Sequence, residues 1–174
     1  MLTFLNMDVE GFCSIESLHL QLNPTCTMLI KAPNGKGKST ILSALVWAIY
    51  GKNLKGVSEV NTWKQIRPKE YQGTKVQVYF QKDSHTYKVI RCQKYDGLLD
   101  DGSKGKDRLI IIKDGDTIDV KGKGKIQDVI NREIGLSYTL FMNSIMFGQG
   151  IKRLIQESNS DKKKIFEEVF DLEF

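Results

Sequence analysis

The segment "APNGKGKST", residues 32–40, constrains this chain more than any other. It combines Gly35 and Gly37 with Lys38 and Ser39, and it lies between two apolar segments of different character. The preceding run "CTMLIKA" is almost continuously apolar, which predicts a buried strand. The following run "KSTILSALVWAIYG" repeats apolar residues at helical spacing and stops at a glycine, which predicts an amphipathic helix. The sequence therefore predicts the order strand, glycine-rich loop, helix.

A loop of this composition has the chemistry of a phosphate-binding loop. Small residues let consecutive backbone N–H groups converge on phosphate oxygens, and the positive end of the following helix faces the same anion. In that pattern Lys38 reaches the β and γ phosphates, and the Ser39 hydroxyl ligates Mg²⁺. Ala32 replaces the usual first glycine, but that position follows directly from extended chain, where alanine is unstrained. The alternative interpretation is a Lys/Gly-rich surface turn.

The rest of the chain predicts antiparallel strands followed by helices. The runs "LTFLNMDV" and "IESLHLQL" predict opening strands, "TKVQVYFQK" and "HTYKVIRCQK" predict a hairpin, and "RLIIIKDGDTIDV" predicts two strands around an Asp-Gly turn. Residues 95–107 predict an exposed, mobile loop. Helices are predicted in "IQDVINREIG", after Ser137 as an N-cap, and in "SDKKKIFEEVFDLEF". We expect an α/β fold with a mixed sheet around the phosphate loop, an antiparallel β-sheet and C-terminal helices.

Composition narrows the class of protein. A formal net charge of +5 and a pI near 9.0 are compatible with nucleic acid or phosphate ligands. The three cysteines, Cys13, Cys26 and Cys92, include no CxxC pair, which excludes a disulfide framework and a zinc site and favours a reducing compartment. The N-terminus lacks the pattern of a signal peptide, and the longest apolar run, "ALVWAIY", is too short to span a bilayer. We expect a soluble, cytosolic protein.

The residues that would complete a hydrolytic site are not evident. Hydrolysis needs a carboxylate at the end of a second buried strand to hold the Mg²⁺ shell. The nearest candidate is Asp114 in "LIIIKD", but it follows Lys113 and opens an Asp-Gly hairpin, so we predict a turn residue. His19 and His85 lie in strand-like segments with no Ser, Cys or Asp partner at interpretable spacing. Nuclease or esterase chemistry is therefore unsupported by the sequence.

Several motifs together resemble one family. The run "LIKAPNGKGKSTILSALVWAIYG" resembles the first nucleotide-binding segment of the SbcC-type, SMC-like ABC ATPases of double-strand-break repair, including the recombination endonuclease subunits of tailed phages. The runs "DVEGFCSIESLHLQL", "YKVIRCQK" and "IGLSYTLFMNSIMFGQG" resemble the opening strands of that family, its Arg-containing strand and the segment leading to its Q-loop. The resemblance spans nearly all 174 residues. It implies a P-loop NTPase fold, specifically the N-terminal lobe of an ABC-type head.

The resemblance also implies site residues. The phosphates would be cradled by Asn34, Gly35, Lys36, Gly37, Lys38, Ser39 and Thr40. Gln149, in the Q-loop at 147–150, would reach the metal or the attacking water, a contact that a neutral amide makes without adding charge. Without the resemblance, a Gln between two glycines predicts only a turn. Many relatives have a basic residue where this chain has Cys13, so Phe12 to Ser14 are expected only to form a turn beside the nucleotide.

The same family implies the partners. Its signature loop, metal aspartate and catalytic glutamate belong to a C-terminal stretch beyond a coiled coil, and "DKKKIFEEVFDLEF" resembles the segment before that coil. We therefore expect an N-terminal lobe only, as a truncated chain, a split gene product or a fragment, ending where the coil would start. Its three expected regions are 1–51, 52–122 and 123–174. It is expected to bind ATP and Mg²⁺, and to hydrolyse ATP poorly alone.

Activity would then depend on assembly. The expected partners are the C-terminal lobe of the same ATPase, a second ATPase head as a homodimer, an SbcD-type nuclease subunit and double-stranded DNA, with no membrane. ATP-driven head dimerisation would control DNA clamping and nuclease access. The location expected is the cytoplasm, or the host cytoplasm for a phage protein.

Two other functions remain open from the sequence. A small P-loop kinase or GTPase with an unrecognised metal carboxylate is disfavoured because those folds alternate helices with parallel strands, whereas residues 74–120 predict antiparallel hairpins. A non-catalytic DNA-binding module would use the lysines at Lys104, Lys106, Lys121, Lys123 and Lys125. Such lysines are usually solvated loop residues, but beside an ATP-driven clamp they would contact the DNA backbone without reading sequence.

Overall fold

The computed structural model describes residues 1–22, 27–58, 72–146 and 158–170. The chain divides into two compact units, residues 1–134 and 135–174, so helix 123–134 belongs to the same unit as the sheet. The first unit holds a six-stranded sheet and two of the described helices. The second unit holds two more described helices. The predicted α/β fold is confirmed.

The sheet is antiparallel at every described pairing. Its order is β2-β1-β3-β4-β5-β6. The strands are β1 (Leu2–Phe12), β2 (Ile15–Gln21), β3 (Thr74–Lys82), β4 (His85–Gln93), β5 (Leu109–Lys113) and β6 (Asp116–Thr117). Asp83 and Asp114 occupy the two hairpin turns at φ of 54° and 51°. Both predicted hairpins are therefore confirmed, because their turns and alternation are local patterns.

The apolar run before the glycine-rich loop does not form the predicted buried strand. Residues 27–33 lie outside any strand, and Met28 and Leu29 are 41% and 86% exposed. A strand is held by hydrogen bonds from a neighbouring strand, and the six described strands pair only with one another. Among the described residues the sheet beside the loop is thus antiparallel, not the mixed sheet that the apolar run predicted.

The first helix, α1 (Lys38–Tyr50), packs on β1, β3 and β4. Every residue from Ala44 to Tyr50 is buried, and the Trp47 ring lies 5.5 Å from the Phe12 ring. Val76, Val78 and Phe80 on β3 are fully buried, as their alternation predicted. The second helix, α2 (Lys123–Ile134), begins before its predicted start at residue 126 and packs on β5 and α1.

The segment predicted as an exposed loop, 95–107, is not exposed throughout. Tyr95 and Leu99 are 4% and 6% exposed and pack against a cluster on β4 and β5 formed by Ile90, Cys92 and Ile110. The Tyr95 hydroxyl also donates to Glu10 Oε2 at 2.8 Å. The prediction was wrong at these two residues because the Gly, Asp and Lys content around them concealed two apolar side chains that cover the sheet.

The second unit contains α3 (Tyr138–Ser144) and α4 (Asn159–Phe170). Ser137 is the N-cap of α3, and its hydroxyl accepts the Leu140 N–H at 3.1 Å, which confirms the predicted cap. The predicted Q-loop, with Gln149, lies outside the described residues. In the ranges that are described, we find no helix with the length and apolar character needed to cross a membrane.

Candidate functional site

The glycine-rich loop leads directly into the N-terminus of α1. Gly37 is the N-cap of α1 at φ 87° and ψ 12°, and Gly35 is also left-handed at φ 78°. No side chain caps this end of the helix. The first N–H groups of a helix lack intrahelical acceptors, and here the N–H groups of Thr40 and Ile41 donate to the Gly37 carbonyl at 3.0 and 3.2 Å. Backbone N–H donors and the positive end of the helix dipole therefore face the same region at the N-terminus of α1.

Lys38 contributes a cation to the same loop. Its Nζ donates to the carbonyl oxygens of Ala32 at 2.5 Å and Pro33 at 3.0 Å, so the ammonium lies over the beginning of the loop. Ser39 is exposed in the first helical turn and Thr40 is half-buried. The structure therefore places the predicted cradle, residues 34–40, in one continuous turn at the start of α1. The ligand roles of these residues remain predictions.

The turn between β1 and β2 lies against this loop. Cys13 has a positive φ of 49°, and Ser14 Oγ is 3.0 Å from the place that a Cβ on Gly37 would occupy. The turn that was expected beside the nucleotide thus lies against the loop, and its place beside a nucleotide stays a prediction. Ser14 closes one side of the loop, a contact that the sequence signalled only through the resemblance of this turn to that of the family.

A buried arginine lies at the opposite end of α1, and we predicted no role for it from the sequence. Arg91 on β4 donates from Nε to the Ala48 carbonyl at 2.9 Å and from Nη2 to the Ile49 carbonyl at 3.2 Å. Burial lowers the pKa of Arg91 to about 10, which leaves the guanidinium charged at neutral pH. A cavity of about 150 Å³ adjoins Arg91 and Gly51 there, so it is separate from the phosphate loop.

Both histidines pair with aspartates that sequence spacing did not reveal. His19 Nδ1 lies 2.5 Å from Asp8 Oδ1, and His85 Nδ1 lies 2.6 Å from Asp114 Oδ2. Sequence spacing did not reveal these partners because they are distant in the chain. Asp8 lies on β1, the strand that pairs with the strand of His19, and Asp114 lies in the turn of the next hairpin.

Asp114 has the turn role that was predicted for it. Its carboxylate accepts the Thr86 N–H at 2.8 Å, and this bond together with His85 lowers the pKa of Asp114. Across the described ranges, no cluster of three or more His, Cys, Asp or Glu side chains is arranged to hold a metal. Burial raises the pKa of the Cys92 thiol to about 12, so that cysteine is protonated at neutral pH.

The predicted DNA-contacting lysines occur in two places of the first unit. Lys104 and Lys106 are exposed on the segment that covers the sheet. Lys121 and Lys125 are exposed at the start of α2, and Lys123 begins that helix. Nothing in these positions identifies a DNA surface, so the role of the lysines stays a prediction.

The sheet, the glycine-rich loop and its helix define a P-loop protein of the α/β class. The chain belongs to the AAA domain family AAA_23, which matches residues 6–173. A solved structure described as concerning ATP-driven dimerization and DNA-stimulated activation of SMC ATPases has the same fold, with a TM-score of 0.57 at 16% identity. The match covers 96% of this chain and 99% of that one.

Curated relatives agree with the resemblance found in the sequence. The DNA double-strand break repair Rad50 ATPase of Methanopyrus kandleri is 26% identical over 170 residues, covering 94% of this chain and 18% of the relative. Exonuclease subunit 2 of Escherichia phage RB69 is 25% identical over 157 residues, covering 89% and 25%. The chain thus spans a quarter or less of the length of these relatives. The predicted resemblance to SbcC-type repair ATPases is confirmed.

Proposed function

We propose that this chain is the ATP-binding half of a DNA repair or recombination ATPase that works with a nuclease subunit on DNA ends. The observation that carries the proposal is the uncapped N-terminus of α1 at Gly37, with the Lys38 ammonium in the same loop. Such an end binds phosphate through its N–H groups and its dipole. The names of the matched relatives, a repair ATPase and an exonuclease subunit, support the biological setting.

The loop residues fit a Mg-nucleotide. Gly37, at positive φ, lets the backbone approach the phosphates, and Lys38 would exchange the carbonyls of Ala32 and Pro33 for β and γ phosphate oxygens. The Ser39 hydroxyl offers Mg²⁺ the oxygen ligand that it prefers. When bound, the metal would neutralise charge on the phosphates. We assign Gln149 the contact to the metal or to the attacking water.

Hydrolysis, in this proposal, requires a second piece of protein. No apolar run of strand length in the sequence ends in the two adjacent acidic residues that a metal aspartate and a catalytic base need, and Asp114 is a single carboxylate in a turn. The apolar segment 27–32 beside the loop lacks a strand partner among the described residues and exposes Leu29, so it offers an edge that a C-terminal lobe would cover. A second head would then sandwich the nucleotide in a homodimer.

Assembly would couple the nucleotide to DNA. We propose that ATP-driven closure of two heads controls DNA clamping and the access of an SbcD-type nuclease subunit. The cytoplasm, or the host cytoplasm for a phage protein, is the location that accompanies this role. The support comes from the DNA-repair relatives.

Turnover by the purified 174-residue chain tests the incomplete site. We expect ATP binding, with hydrolysis far below the rate of roughly 10 s⁻¹ that is usual for complete enzymes. Hydrolysis should appear only when the C-terminal lobe is added. Turnover at the rate of a complete enzyme, abolished by Lys38→Ala, would show that the site is complete within this chain.

A second candidate function is a DNA-binding module that ignores ATP. It would use the lysines at residues 104, 106, 121 and 125, which are exposed. Binding to duplex DNA, measured across a salt series, should weaken and lose salt dependence when these four and Lys123 become Gln. Unchanged affinity would remove the DNA role of the lysines, and binding indifferent to ATP would favour the module.

Phosphoryl transfer to a small acceptor would instead favour a kinase, although the described strands after the loop are antiparallel.

A further inference from the structure

The two ends of α1 differ in how their backbone groups are satisfied. At the N-terminal end, Gly37 provides no side-chain cap. At the C-terminal end, the carbonyls of the last turn receive donors from the C-cap residue and from a neighbouring strand. The Gly51 N–H donates to Trp47 at 2.8 Å, and Arg91 Nε donates to Ala48 at 2.9 Å. The helix is therefore secured at the end that is distant from the phosphate loop.

The Ile49 carbonyl receives two donors. They are Arg91 Nη2 at 3.2 Å and Gln127 Nε2 at 2.8 Å. Gln127 belongs to α2, and its Oε1 accepts a further hydrogen bond from Arg91 Nη2 at 2.5 Å. One guanidinium thus joins β4, α1 and α2 at a single point. A lysine could not make the same set of hydrogen bonds, since the planar guanidinium supplies several donors in fixed directions.

Arg91 is also connected to the loop by packing. Its guanidinium lies 5.8 Å from the centroid of the Trp47 ring, and that ring contacts Phe12 at 5.5 Å. Phe12 precedes the turn whose Ser14 hydroxyl lies against Gly37. Two physical connections therefore run from Arg91 to the phosphate loop. One is the helix itself, and the other is the tilted aromatic pair of Trp47 and Phe12, which leads to the turn.

We propose that Arg91 is a positioning residue for nucleotide binding. By holding the C-terminal end of α1, with Gln127 as its second support, it fixes where the open N-terminal end directs its N–H donors. A positive charge beside the last carbonyls also stabilises the helix through its dipole. The inference rests on the proposed nucleotide binding, but it concerns a residue that contacts no part of the phosphate loop.

The test is the affinity of the 174-residue chain for Mg-ATP, measured by calorimetric titration together with the free energy of unfolding. Arg91→Met should raise Kd on the order of tenfold, the equivalent of one hydrogen bond displaced from the phosphates. Arg91→Lys keeps the charge but loses the fork, so its Kd should lie between those of wild type and Arg91→Met. A merely structural role would lower stability and leave Kd unchanged.

Lys88→Met is the matched control. Lys88 is also a cation on β4, but its ammonium binds Asp100 at 2.5 Å and lies 5.1 Å from the Tyr79 ring centroid, away from α1. The Lys88→Met variant should be less stable than wild type and should bind Mg-ATP with the wild-type Kd. A Kd raised equally in Lys88→Met and Arg91→Met would overturn the proposal, because any loss of stability would then suffice.

If Arg91→Met does not fold, Gln127→Met tests the same positioning role. It removes one donor to Ile49 and the acceptor for Arg91, and it should raise Kd in the same direction by a smaller factor. A wild-type Kd in a folded Gln127→Met overturns the inference while leaving the proposed function intact. Absence of ATP binding by the wild-type chain would instead refute the proposed function, and the inference with it.

Discussion

The hydroxyl of Ser14 lies 3.0 Å from the position that a Cβ on Gly37 would occupy. The turn after β1 therefore limits the size of the residue at the N-cap of α1. Gly37 is constrained twice, by this contact and by its φ of 87°. Gly35 has a similar φ of 78°, but a Cβ there would meet nothing within 4 Å. The two glycines of the loop thus differ in steric surroundings, which makes them a natural comparison.

Gly37→Ala should therefore be more damaging than Gly35→Ala. Both variants force alanine into the left-handed region, at a cost of about 1–2 kcal/mol in the free energy of unfolding. Only Gly37→Ala also displaces Ser14, so it should lose more affinity for Mg-ATP, as measured by calorimetric titration. Adding Ser14→Ala should restore part of that loss. Equal effects of the two alanines on affinity would show that the Ser14 contact is unimportant.

A second prediction concerns the pair Tyr87 and Glu133. The Tyr87 hydroxyl donates to Glu133 Oε2 at 2.7 Å, and this bond lowers the pKa of Glu133. Tyr87→Phe keeps the ring that stacks on Phe80 but removes the donor. The pKa of Glu133 should rise towards its ordinary value, and the protein should lose about 1.5 kcal/mol of stability at neutral pH. Carboxyl-carbon chemical shifts report the first change, and denaturant unfolding reports the second.

The sign of the pH dependence follows from the lowered pKa. Stabilisation by Glu133 is complete above the ordinary glutamate pKa and is lost as pH falls through the folded-state value. The stability difference between wild type and Tyr87→Phe should therefore be largest at neutral pH and should shrink in acid. A difference that grows on acidification, or a pKa of Glu133 that does not move, contradicts the assignment of this hydrogen bond.

A third prediction tests the cover over the sheet. Tyr95 is 4% exposed and its ring packs on the cluster of β4 and β5, whereas Leu98, three residues later, is 64% exposed. Tyr95→Ala should cost about 3 kcal/mol in the free energy of unfolding, since it removes a buried aromatic ring. Leu98→Ala should stay within about 0.5 kcal/mol of wild type. Similar losses in the two variants would mean that residues 95–107 do not cover the sheet as described.

The features that the sequence predicted correctly depend on local patterns. The helix after the loop, the hairpin turns at Asp83 and Asp114 and the N-cap at Ser137 each follow from a few neighbouring residues. The glycine-rich loop before that helix is also such a pattern, since Gly35, Gly37 and Lys38 lie within four positions of the chain. Local chemistry of this kind persists in the folded protein, so composition and spacing suffice to find it.

The features that it missed depend on contacts between distant residues. Arg91 reaches the end of α1 across 43 and 42 sequence positions, and Tyr95 reaches Glu10 across 85. The run before the loop was apolar enough for a buried strand, but a strand also needs a hydrogen-bonded neighbour, which spacing does not reveal. The role of Gln149 came from family resemblance alone, and that residue lies outside the described ranges.

The most direct measurement of the central claim is a calorimetric titration of Mg-ATP into the 174-residue chain, repeated with Lys38→Met and with Lys31→Met. Lys38 donates within the loop, whereas Lys31 is an exposed lysine just before it. We predict saturable binding of one ATP per chain to wild type and to Lys31→Met, and its loss in a folded Lys38→Met. Wild-type affinity in Lys38→Met, or no binding by the wild-type chain, would contradict the claim that this loop binds ATP.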